Sequence, residues 1–398
     1  MTVKRRLWLI LTAITSLLVA AGWIIRHYTP YQPDFWVTGY LPAYRHNGRE
    51  IPFLAPADYQ MLTHLAHVSV IPRADGSLDN ERNSLSTENR LAAQQTANQQ
   101  HLPLLIVVTG SYEQFQPVLQ DTVRPQFIAH LLQLLDTGYD GIDIDMEPIT
   151  RDDKQANPDF TAFIIELHRA LQTRHNTKLH RSPLLTTAIT LRDRFIVAPL
   201  ADYFDQINLM AYDMAQPYAG WISWFDSALY NGGLRFPNYS HEVPSVDLWV
   251  QRLLAAGIPR HKLGLGISLD VACWYGGTGT TTDGISAPAQ AWVTQPDYRK
   301  LSYAEWNVSD IFSQQIQWDN TTQMAWFGQD NLGSNQDFFC NFNDERAIQA
   351  KITYAREQGL GGIMIWELGL DHLAQLPANA LANHHRPLRH AISRALEK

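Results

Sequence analysis

The feature that most constrains the fold is a series of eight short apolar runs that alternate with longer amphipathic segments. Most of the runs are apolar at both odd and even positions, which is typical of parallel strands covered on both sides. The eight runs are residues 36–41, 65–71, 104–108, 141–146, 184–189, 206–210, 263–267 and 362–366. Eight strand–helix units in succession predict an α/β protein with the architecture of a (β/α)8 TIM barrel.

The segments between these runs carry the signals of helices. Three of them follow a residue type that commonly accepts the first free amide of a helix, namely Ser86, Asn157 and Ser245. Apolar residues recur at three- and four-residue spacing, as expected for helices that cover a sheet with one face. The predicted helices span residues 87–99, 125–135, 158–171, 246–256 and 344–357.

One interval interrupts this alternation. Residues 271–343 are rich in Gly, Thr, Gln, Asn and Trp, and they are too long for a plain loop in a compact domain. They predict a small inserted subdomain between strand 7 and helix 7, at the end of the barrel where active sites lie. Cys273 and Cys340, the two cysteines of the chain, fall near its two ends. A disulfide between them and two unpaired thiols are both compatible with the sequence.

The first 35 residues differ in kind from the rest. Three basic residues at 4–6 precede an uncharged run at 7–25 that is long enough to cross a bilayer as a helix. This predicts a membrane anchor with a cytoplasmic N-terminus, or else a signal peptide cleaved after Ala21. In both cases we expect an exported protein, either membrane-anchored with its catalytic domain in the periplasm or outside the cell, or secreted. Residues 1–35 are assigned to this segment and its linker, and residues 36–398 to the barrel.

Composition and spacing exclude several functional classes. A net charge of −8 argues against a general nucleic-acid binder, which needs a basic surface. The paired histidines His64/His67 and His384/His385 lack a neighbouring cysteine and the H-E-x-x-H pattern of a metal site. We therefore predict no metal, no cofactor and no nucleic-acid partner.

The segment 139–148 carries the pattern with the most chemical content. Asp143, Asp145 and Glu147 are spaced by two, so a strand places all three on one face. If that face points into the barrel, three carboxyl groups lie together and cannot all ionise, so at least one pKa must rise. A carboxyl that stays protonated near neutral pH suits a general acid. The alternative is a polar strand end that binds a cation or caps a helix.

Residues 140–147, which read DGIDIDME, resemble the DxxDxDxE signature of glycoside hydrolase family 18, the chitinases and their relatives. Segments 37–40, 210–213 and 361–371 are similar to the first, sixth and eighth strands of that family, in the same order. The resemblance covers about residues 36–372. It implies that the insertion at 271–343 is the small α+β unit found in the deep-cleft members.

The resemblance implies a retaining, substrate-assisted mechanism. Glu147 is expected to protonate the glycosidic oxygen, while the substrate's own 2-acetamido oxygen attacks the anomeric carbon and forms an oxazolinium ion. Asp145 would orient the acetamide N–H and share a proton with Asp143. Tyr212 would hydrogen-bond the acetamide oxygen, and Asp213 would hold a hydroxyl or the side chain of the acid.

Aromatic side chains are the expected sugar contacts. The resemblance places Trp366 as the floor beneath the distorted sugar and Tyr40 beneath the innermost aspartate. Three further aromatic residues near strand ends are candidates from their position alone: Tyr218, Tyr112 and Trp274.

Two strands depart from the family pattern. Val108 stands where members usually have the serine that helps to hold the inner aspartate. The strand at 263–267 leads into Asp270 without the aromatic-Gly-Arg triplet of many chitinases. These departures concern the support of Asp143 and the sugar contacts, and they leave Asp145 and Glu147 in place.

The expected function is that of an exported glycosidase which cleaves β-1,4 linkages next to N-acetylglucosamine, in chitin or chitooligosaccharides. Peptidoglycan fragments and N-glycan cores are alternative substrates, because other branches of the family act on them. A catalytically silent carbohydrate-binding barrel is a further alternative, and such members usually lose the acid at the position of Glu147. In each case the partner is an oligo- or polysaccharide that contains N-acetylglucosamine.

Overall fold

The structure is a computed structural model that describes residues 30–48, 51–151, 156–279, 283–308, 316–374 and 385–397. The apolar run of the predicted membrane anchor or signal peptide lies outside these residues. Within the described ranges, no helix is both long enough and apolar enough to cross a membrane.

Eight parallel strands form a closed barrel. Numbered in chain order, the barrel strands are β1 (Trp36–Pro42), β2 (His64–Pro72), β4 (Leu104–Gly110), β5 (Gly141–Met146), β6 (Leu184–Ile189), β7 (Gln206–Leu209), β8 (Leu263–Ser268) and β14 (Gly362–Trp366). They pair in the order β1-β14-β8-β7-β6-β5-β4-β2, and pairing of β1 with β2 closes the ring. The short β3 (Leu78–Asp79) runs antiparallel to the end of β2. Each predicted run is one of the eight strands, so the predicted barrel is confirmed.

Helices and short 3-10 turns connect the strands. The helices are α1 (Pro56–Gln60), α2 (Thr87–Gln99), α3 (Tyr112–Val118), α4 (Arg124–Asp136), α5 (Pro158–Gln172), α6 (Arg194–Val197), α7 (Val246–Ala255), α8 (Tyr303–Val308), α9 (Glu345–Glu357) and α10 (Pro387–Leu396). The predicted helices correspond to α2, α4, α5, α7 and α9, with ends shifted by at most one residue. As expected from their residue types, Ser86, Asn157 and Ser245 accept the amide three residues later, and so satisfy a donor that the helix itself leaves free.

The alternation of side chains along β5 gives the barrel two separate layers of core. Ile142, Ile144 and Met146 are buried in the layer between strands and helices. Asp143 and Asp145 point the other way, into the barrel, where Asp143 lies level with Val107 and Thr186 on the neighbouring strands. The period of two therefore places the carboxyl groups on the inner face, as the sequence predicts.

A second sheet lies within residues 270–342. Its five antiparallel strands pair in the order β10-β9-β13-β12-β11, and they are β9 (Asp270–Tyr275), β10 (Asp297–Ser302), β11 (Gln317–Asp319), β12 (Met324–Gln329) and β13 (Phe338–Phe342). Cys273 and Cys340 occupy directly opposite positions of β9 and β13 and are joined by a disulfide. The sheet begins one residue before the predicted boundary at 271, and its status as a separate subdomain stays a prediction.

A buried lysine lies where the second sheet meets the barrel. Lys351 of α9 is fully buried, and its Nζ donates to Ser227 Oγ at 2.7 Å and to Asn343 Oδ1. Asn343 in turn donates to the carbonyl of Ser268, at the end of β8, at 2.9 Å. Burial lowers the pKa of Lys351 to about 7, because the opposing charges of Asp226 and Asp344 compensate only part of the lost solvation.

Replacement of Lys351 by methionine is expected to flatten the pH dependence of stability. Between the folded pKa of about 7 and the ordinary lysine value of 10.5, the unfolded chain binds more protons than the folded one. The free energy of unfolding of the wild type should therefore rise with pH across this window, by at most about 1.4 kcal/mol per pH unit, and Lys351→Met should lose that rise. Urea unfolding between pH 6 and 10 measures it, with Arg346→Met, on the exposed side of the same helix, as the control. An unchanged slope in Lys351→Met would contradict this assignment.

Candidate active site

The carboxyl ends of the barrel strands surround a pocket of about 100 Å³. Its lining comes from β1, β5, β6, β14 and the segment directly after β7. The lining residues are Tyr40, Asp145, Glu147, Ala188, Met210, Tyr212, Asp213, Met364 and Trp366. Six of the ten predicted catalytic and sugar-binding residues thus meet in one pocket, and Asp143 lies directly beneath it.

Asp143 is the innermost carboxyl of the series. Tyr40 Oη donates to its Oδ2 at 2.8 Å, and Thr186 Oγ1 donates to its Oδ1. Burial raises the pKa of Asp143 to about 7; the charge of Asp145 adds to this rise, and the two hydroxyl donors oppose it. Asp143 therefore exchanges a proton near neutral pH while both of its oxygens remain held.

Asp145 lies one step closer to the mouth of the barrel. Thr109 Oγ1 donates to its Oδ2 at 2.9 Å, while its Oδ1 is buried without a hydrogen-bond partner among the described residues. Burial, followed by the charge of Glu147, raises the pKa of Asp145 well above its ordinary value. Asp145 and Glu147 each shift the pKa of the other, so these two groups titrate as a pair.

Glu147 follows the last residue of β5 and is the carboxyl that solvent reaches. Much of its surface is exposed to the pocket, although protein groups crowd it on the remaining sides. Burial raises the pKa of Glu147, the hydrogen bond with Asp145 opposes the rise, and the charges of Asp213 and Asp193 add to it. Glu147 is therefore accessible to a ligand and keeps its proton to a higher pH than an ordinary glutamate does.

Two aromatic residues complete the pocket. Tyr212 is buried, and its hydroxyl donates to Met364 Sδ at 3.8 Å, a weak acceptor that an amide oxygen can displace. Burial and the nearby carboxylates raise the pKa of Tyr212 well above its ordinary value, so it stays a neutral donor. Trp366 is half-buried and meets the ring of Tyr40 edge-on, with 5.6 Å between ring centres, so that its indole offers a flat apolar floor.

Asp213 is held at the rim by groups that the sequence analysis missed. Its backbone has a left-handed φ of 55°, and its N–H donates to Asp226 Oδ1 at 3.2 Å. Lys300 Nζ of β10 lies 2.9 Å from Asp213 Oδ1. The sequence around either residue does not predict this pair, because only the folding of the second sheet brings Lys300 to the pocket.

The three weaker aromatic candidates lie outside the pocket lining. Tyr112 packs beneath the guanidinium of Arg151, and Tyr218 is exposed beside Trp221. Trp274 is fully buried against Trp292 and Tyr298 on the inner face of the second sheet. The predicted sugar contact by Trp274 is therefore wrong, because its ring belongs to a core that strand alternation cannot distinguish from a binding surface.

The hydroxyl group that the chain lacks at Val108 is supplied by a residue of another strand, β6. Val107, not Val108, faces the barrel interior, and Val108 belongs to the outer core. The hydroxyl that holds Asp143 comes from Thr186 of β6, which is level with Asp143 in the strand register. The visible signal was a pair of threonines at 186–187 inside an otherwise apolar run.

A larger cavity of about 710 Å³ opens at the opposite end of the barrel. Residues from the starts of strands line it, among them His64, Leu184 and Gln206. This cavity contains none of the predicted site residues. The smaller pocket at the carboxyl ends of the strands is therefore the candidate active site. In the described part of the chain, no group of three or more His, Cys, Asp or Glu side chains is arranged to hold a metal ion.

Comparison with known proteins agrees with this geometry. Mouse chitotriosidase-1 is 29% identical over 333 residues, which cover 76% of this chain and 64% of that protein. Chitinase B of Serratia marcescens is 25% identical over 395 residues, covering 81% of this chain and 76% of that protein. This chain spans less than two thirds of mouse chitotriosidase-1, and 53% of endochitinase 1 of Metarhizium robertsii.

Solved structures share the fold. The group IV chitinase of Ostrinia furnacalis in complex with allosamidin superimposes with a TM-score of 0.71 at 22% identity, covering 92% of this chain and 99% of that chain. YKL-39, solved in the presence of chitooligosaccharides, gives a TM-score of 0.70 at 20% identity, covering 92% and 100%. At this level of identity the likeness shows the fold alone.

The model of the family described as "Glycosyl hydrolases family 18" matches residues 37–371, which include every barrel strand except the first residue of β1, and the whole pocket. The chain therefore belongs to family 18 of the glycosyl hydrolases.

Proposed function

We propose that the chain is a retaining glycosidase that cleaves β-1,4 linkages next to N-acetylglucosamine in chitooligosaccharides. The observation that carries the proposal is the graded series of carboxyls on β5. Asp143 is buried, Asp145 is buried with one oxygen unpaired, and Glu147 is open to the pocket. The series can store a proton at its inner end and deliver one at its outer end.

In the proposed reaction, protonated Glu147 donates its proton to the glycosidic oxygen. The 2-acetamido oxygen of the substrate attacks the anomeric carbon, the bond to the leaving sugar breaks, and an oxazolinium ion forms. The unpaired Oδ1 of Asp145 accepts the acetamide N–H, and the Tyr212 hydroxyl donates to the acetamide oxygen. Ionised Glu147 then takes a proton from water as that water opens the oxazolinium ring with net retention.

Participation of the substrate agrees with the placement of the other acids. Asp145 lies two residues before Glu147 on the same strand face, so both carboxyls approach the sugar from one side. Asp213, the third acid of the pocket lining, is paired with Lys300 at 2.9 Å. The acetamide group therefore supplies the nucleophile that these acids are not placed to provide.

The charges around the pocket favour an uncharged sugar. Lys300 is paired with Asp213 and Asp270, and Arg45 is paired with Glu367 at 2.6 Å. The lactyl and peptide carboxylates of a peptidoglycan fragment would meet a predominantly acidic rim. We therefore place chitooligosaccharides before peptidoglycan as the substrate.

Export of the chain is part of the same proposal. The apolar run at 7–25 and the Cys273–Cys340 disulfide both suit a compartment outside the cytoplasm. Mass spectrometry of the protein from membrane and secreted fractions distinguishes an intact anchor from cleavage after Ala21.

Replacement of Glu147 by glutamine is expected to abolish hydrolysis while leaving sugar binding intact. The amide keeps the shape of the side chain but has no proton to donate, so we expect a loss of at least about 10²- to 10⁴-fold in kcat. Release of fluorophore from 4-methylumbelliferyl chitobioside and chitotrioside measures turnover, and calorimetry with chitotetraose measures binding. Glu166→Gln, at a glutamate paired with Arg124 on the outside of the barrel, is the matched control.

The same assays contain the outcomes that reject the proposal. A wild type that binds chitotetraose without cleaving it is a carbohydrate-binding barrel. Product from peptidoglycan or N-glycan cores, with none from chitooligosaccharides, reassigns the substrate. An active enzyme that an oxazolinium mimic such as allosamidin fails to inhibit rules out participation by the acetamide.

Replacement of Asp213 by asparagine is expected to move the alkaline limb of the pH–rate profile to lower pH. Glu147 acts while protonated, so kcat/KM falls as pH rises through the pKa of Glu147. The charge of Asp213 raises that pKa, and its removal should lower it. Hydrolysis of the chitotrioside between pH 4 and 9 measures the shift. Asp136→Asn, at an exposed residue paired with Arg174, is the control, and an alkaline limb that stays in place would contradict this coupling.

A further inference from the structure

A lysine of the second sheet lies among three carboxylates at the rim of the pocket. The Nζ of Lys300 in β10 is 2.9 Å from Asp213 Oδ1, 3.2 Å from Asp270 Oδ2 and 3.9 Å from Asp226 Oδ2. Its side chain is only 22% exposed, so bulk water screens these contacts weakly. One cation thus links three chain segments at the carboxyl end of the barrel.

The three carboxylates lie at different places around the end of the barrel. Asp213 lines the pocket directly, and Asp270 begins β9 immediately after β8. Asp226 is buried and accepts from Tyr298 Oη at 3.1 Å and from the N–H of Asp213 at 3.2 Å. Displacement of Lys300 would leave these acids facing one another without a counter-charge.

Lys300 also reaches the phenol of the proposed acetamide site. Its Nζ lies 5.6 Å from the centre of the Tyr212 ring, within the range of a cation–π contact. Tyr212 and Asp213 are consecutive residues, so the side chain of Lys300 contacts both the ring of Tyr212 and the carboxylate of Asp213.

The charge balance of the cluster depends on this lysine. Burial by itself disfavours the ammonium form, but Asp226, Asp270 and Asp213 outweigh it and raise the pKa of Lys300 above its ordinary value. Burial raises the pKa of Asp226 to about 6, with Lys300 opposing that rise and Asp213 and Asp270 adding to it. Further charged neighbours among the described residues are Glu147, on which Asp213 acts, Lys351, which interacts with Asp226, and Glu367 with its partner Arg45, which interacts with Asp270.

We propose that Lys300 is a positioning residue for the pocket: it holds Asp213 and Tyr212 in place beside the catalytic carboxyls. The proposal rests on the hydrolysis proposed above. The strand that leads into Asp270 lacks the arginine of the aromatic-Gly-Arg triplet, and the proposal assigns the cation at this place to Lys300 of β10. Arg299, its neighbour in β10, points to the other face, is largely exposed and pairs with Asp297.

Three variants test this role. Lys300→Met removes the charge and keeps much of the side-chain length, Lys300→Arg restores a cation, and Arg299→Met is the control on the opposite face of the strand. Each is assayed for kcat and KM on the chitotrioside between pH 4 and 9. The Kd for chitotetraose is also measured in the Glu147→Gln background, which reports on the pocket without turnover.

We expect Lys300→Met to lose roughly 10- to 100-fold in kcat/KM, the size of effect of a lost hydrogen bond to a charged group. Its acidic limb should move to higher pH, because without the lysine the pKa of Asp226 rises further and this buried group takes up a proton nearer neutrality. Lys300→Arg should recover much of the activity, and Arg299→Met should match the wild type. The Kd of Lys300→Met for chitotetraose should rise.

Failure of this proposal is distinguishable from failure of the proposed function. An active wild type with Lys300→Met within twofold in kcat/KM and Kd, and with an unshifted profile, overturns the role of Lys300 alone. Equal losses in Lys300→Met and Lys300→Arg, with an unshifted acidic limb, mean a structural role and also overturn it. An inactive wild type rejects the hydrolysis, while a weaker Kd confined to Lys300→Met still supports the positioning.

Discussion

Three acidic side chains on the inner face of one strand impose the constraint on which the site depends. Asp143 and Asp145 are buried in the barrel, and two ionised carboxylates so close together in a poorly solvated interior are unfavourable. The structure meets this cost with hydroxyl donors from the adjacent strands, Thr109 and Thr186, and with raised pKa values. Burial, together with the charges of Asp213 and Asp193, also raises the pKa of the outermost carboxyl, Glu147, as its proposed role of proton donor requires.

A second set of acidic side chains lies at the mouth of the barrel, and its negative charge is compensated in a different way. Asp213, Asp226 and Asp270 converge where β7 and β8 end, and a lysine rather than a proton compensates them. The two clusters interact, because the charge of Asp213 raises the pKa of Glu147. A change in either cluster is therefore expected to appear in the ionisation of the other.

Local spacing in the sequence predicted both the barrel and the acid series. The barrel followed from eight apolar runs that alternate with amphipathic segments, and the acid series from a period of two along one strand. Alternation by two places Asp143 and Asp145 on the same face of the strand whatever the rest of the fold is. The support of these acids could not be predicted, since Thr186 is set by register between strands and Lys300 by the packing of a separate sheet. The error at Trp274 has the same cause, because only the packing of the second sheet shows which of its faces is buried.

Two buried lysines lie near the junction of the second sheet with the barrel, and their surroundings differ. At Lys351 a buried ammonium group meets Ser227 and Asn343, which carry no charge, so this junction is sensitive to pH and costs stability when protonated. At Lys300 the buried cation meets carboxylates that stabilise its charge, so that junction holds across the neutral range. The lysine at the rim of the pocket therefore keeps its charge at neutral pH, whereas burial brings the pKa of Lys351 down to about 7.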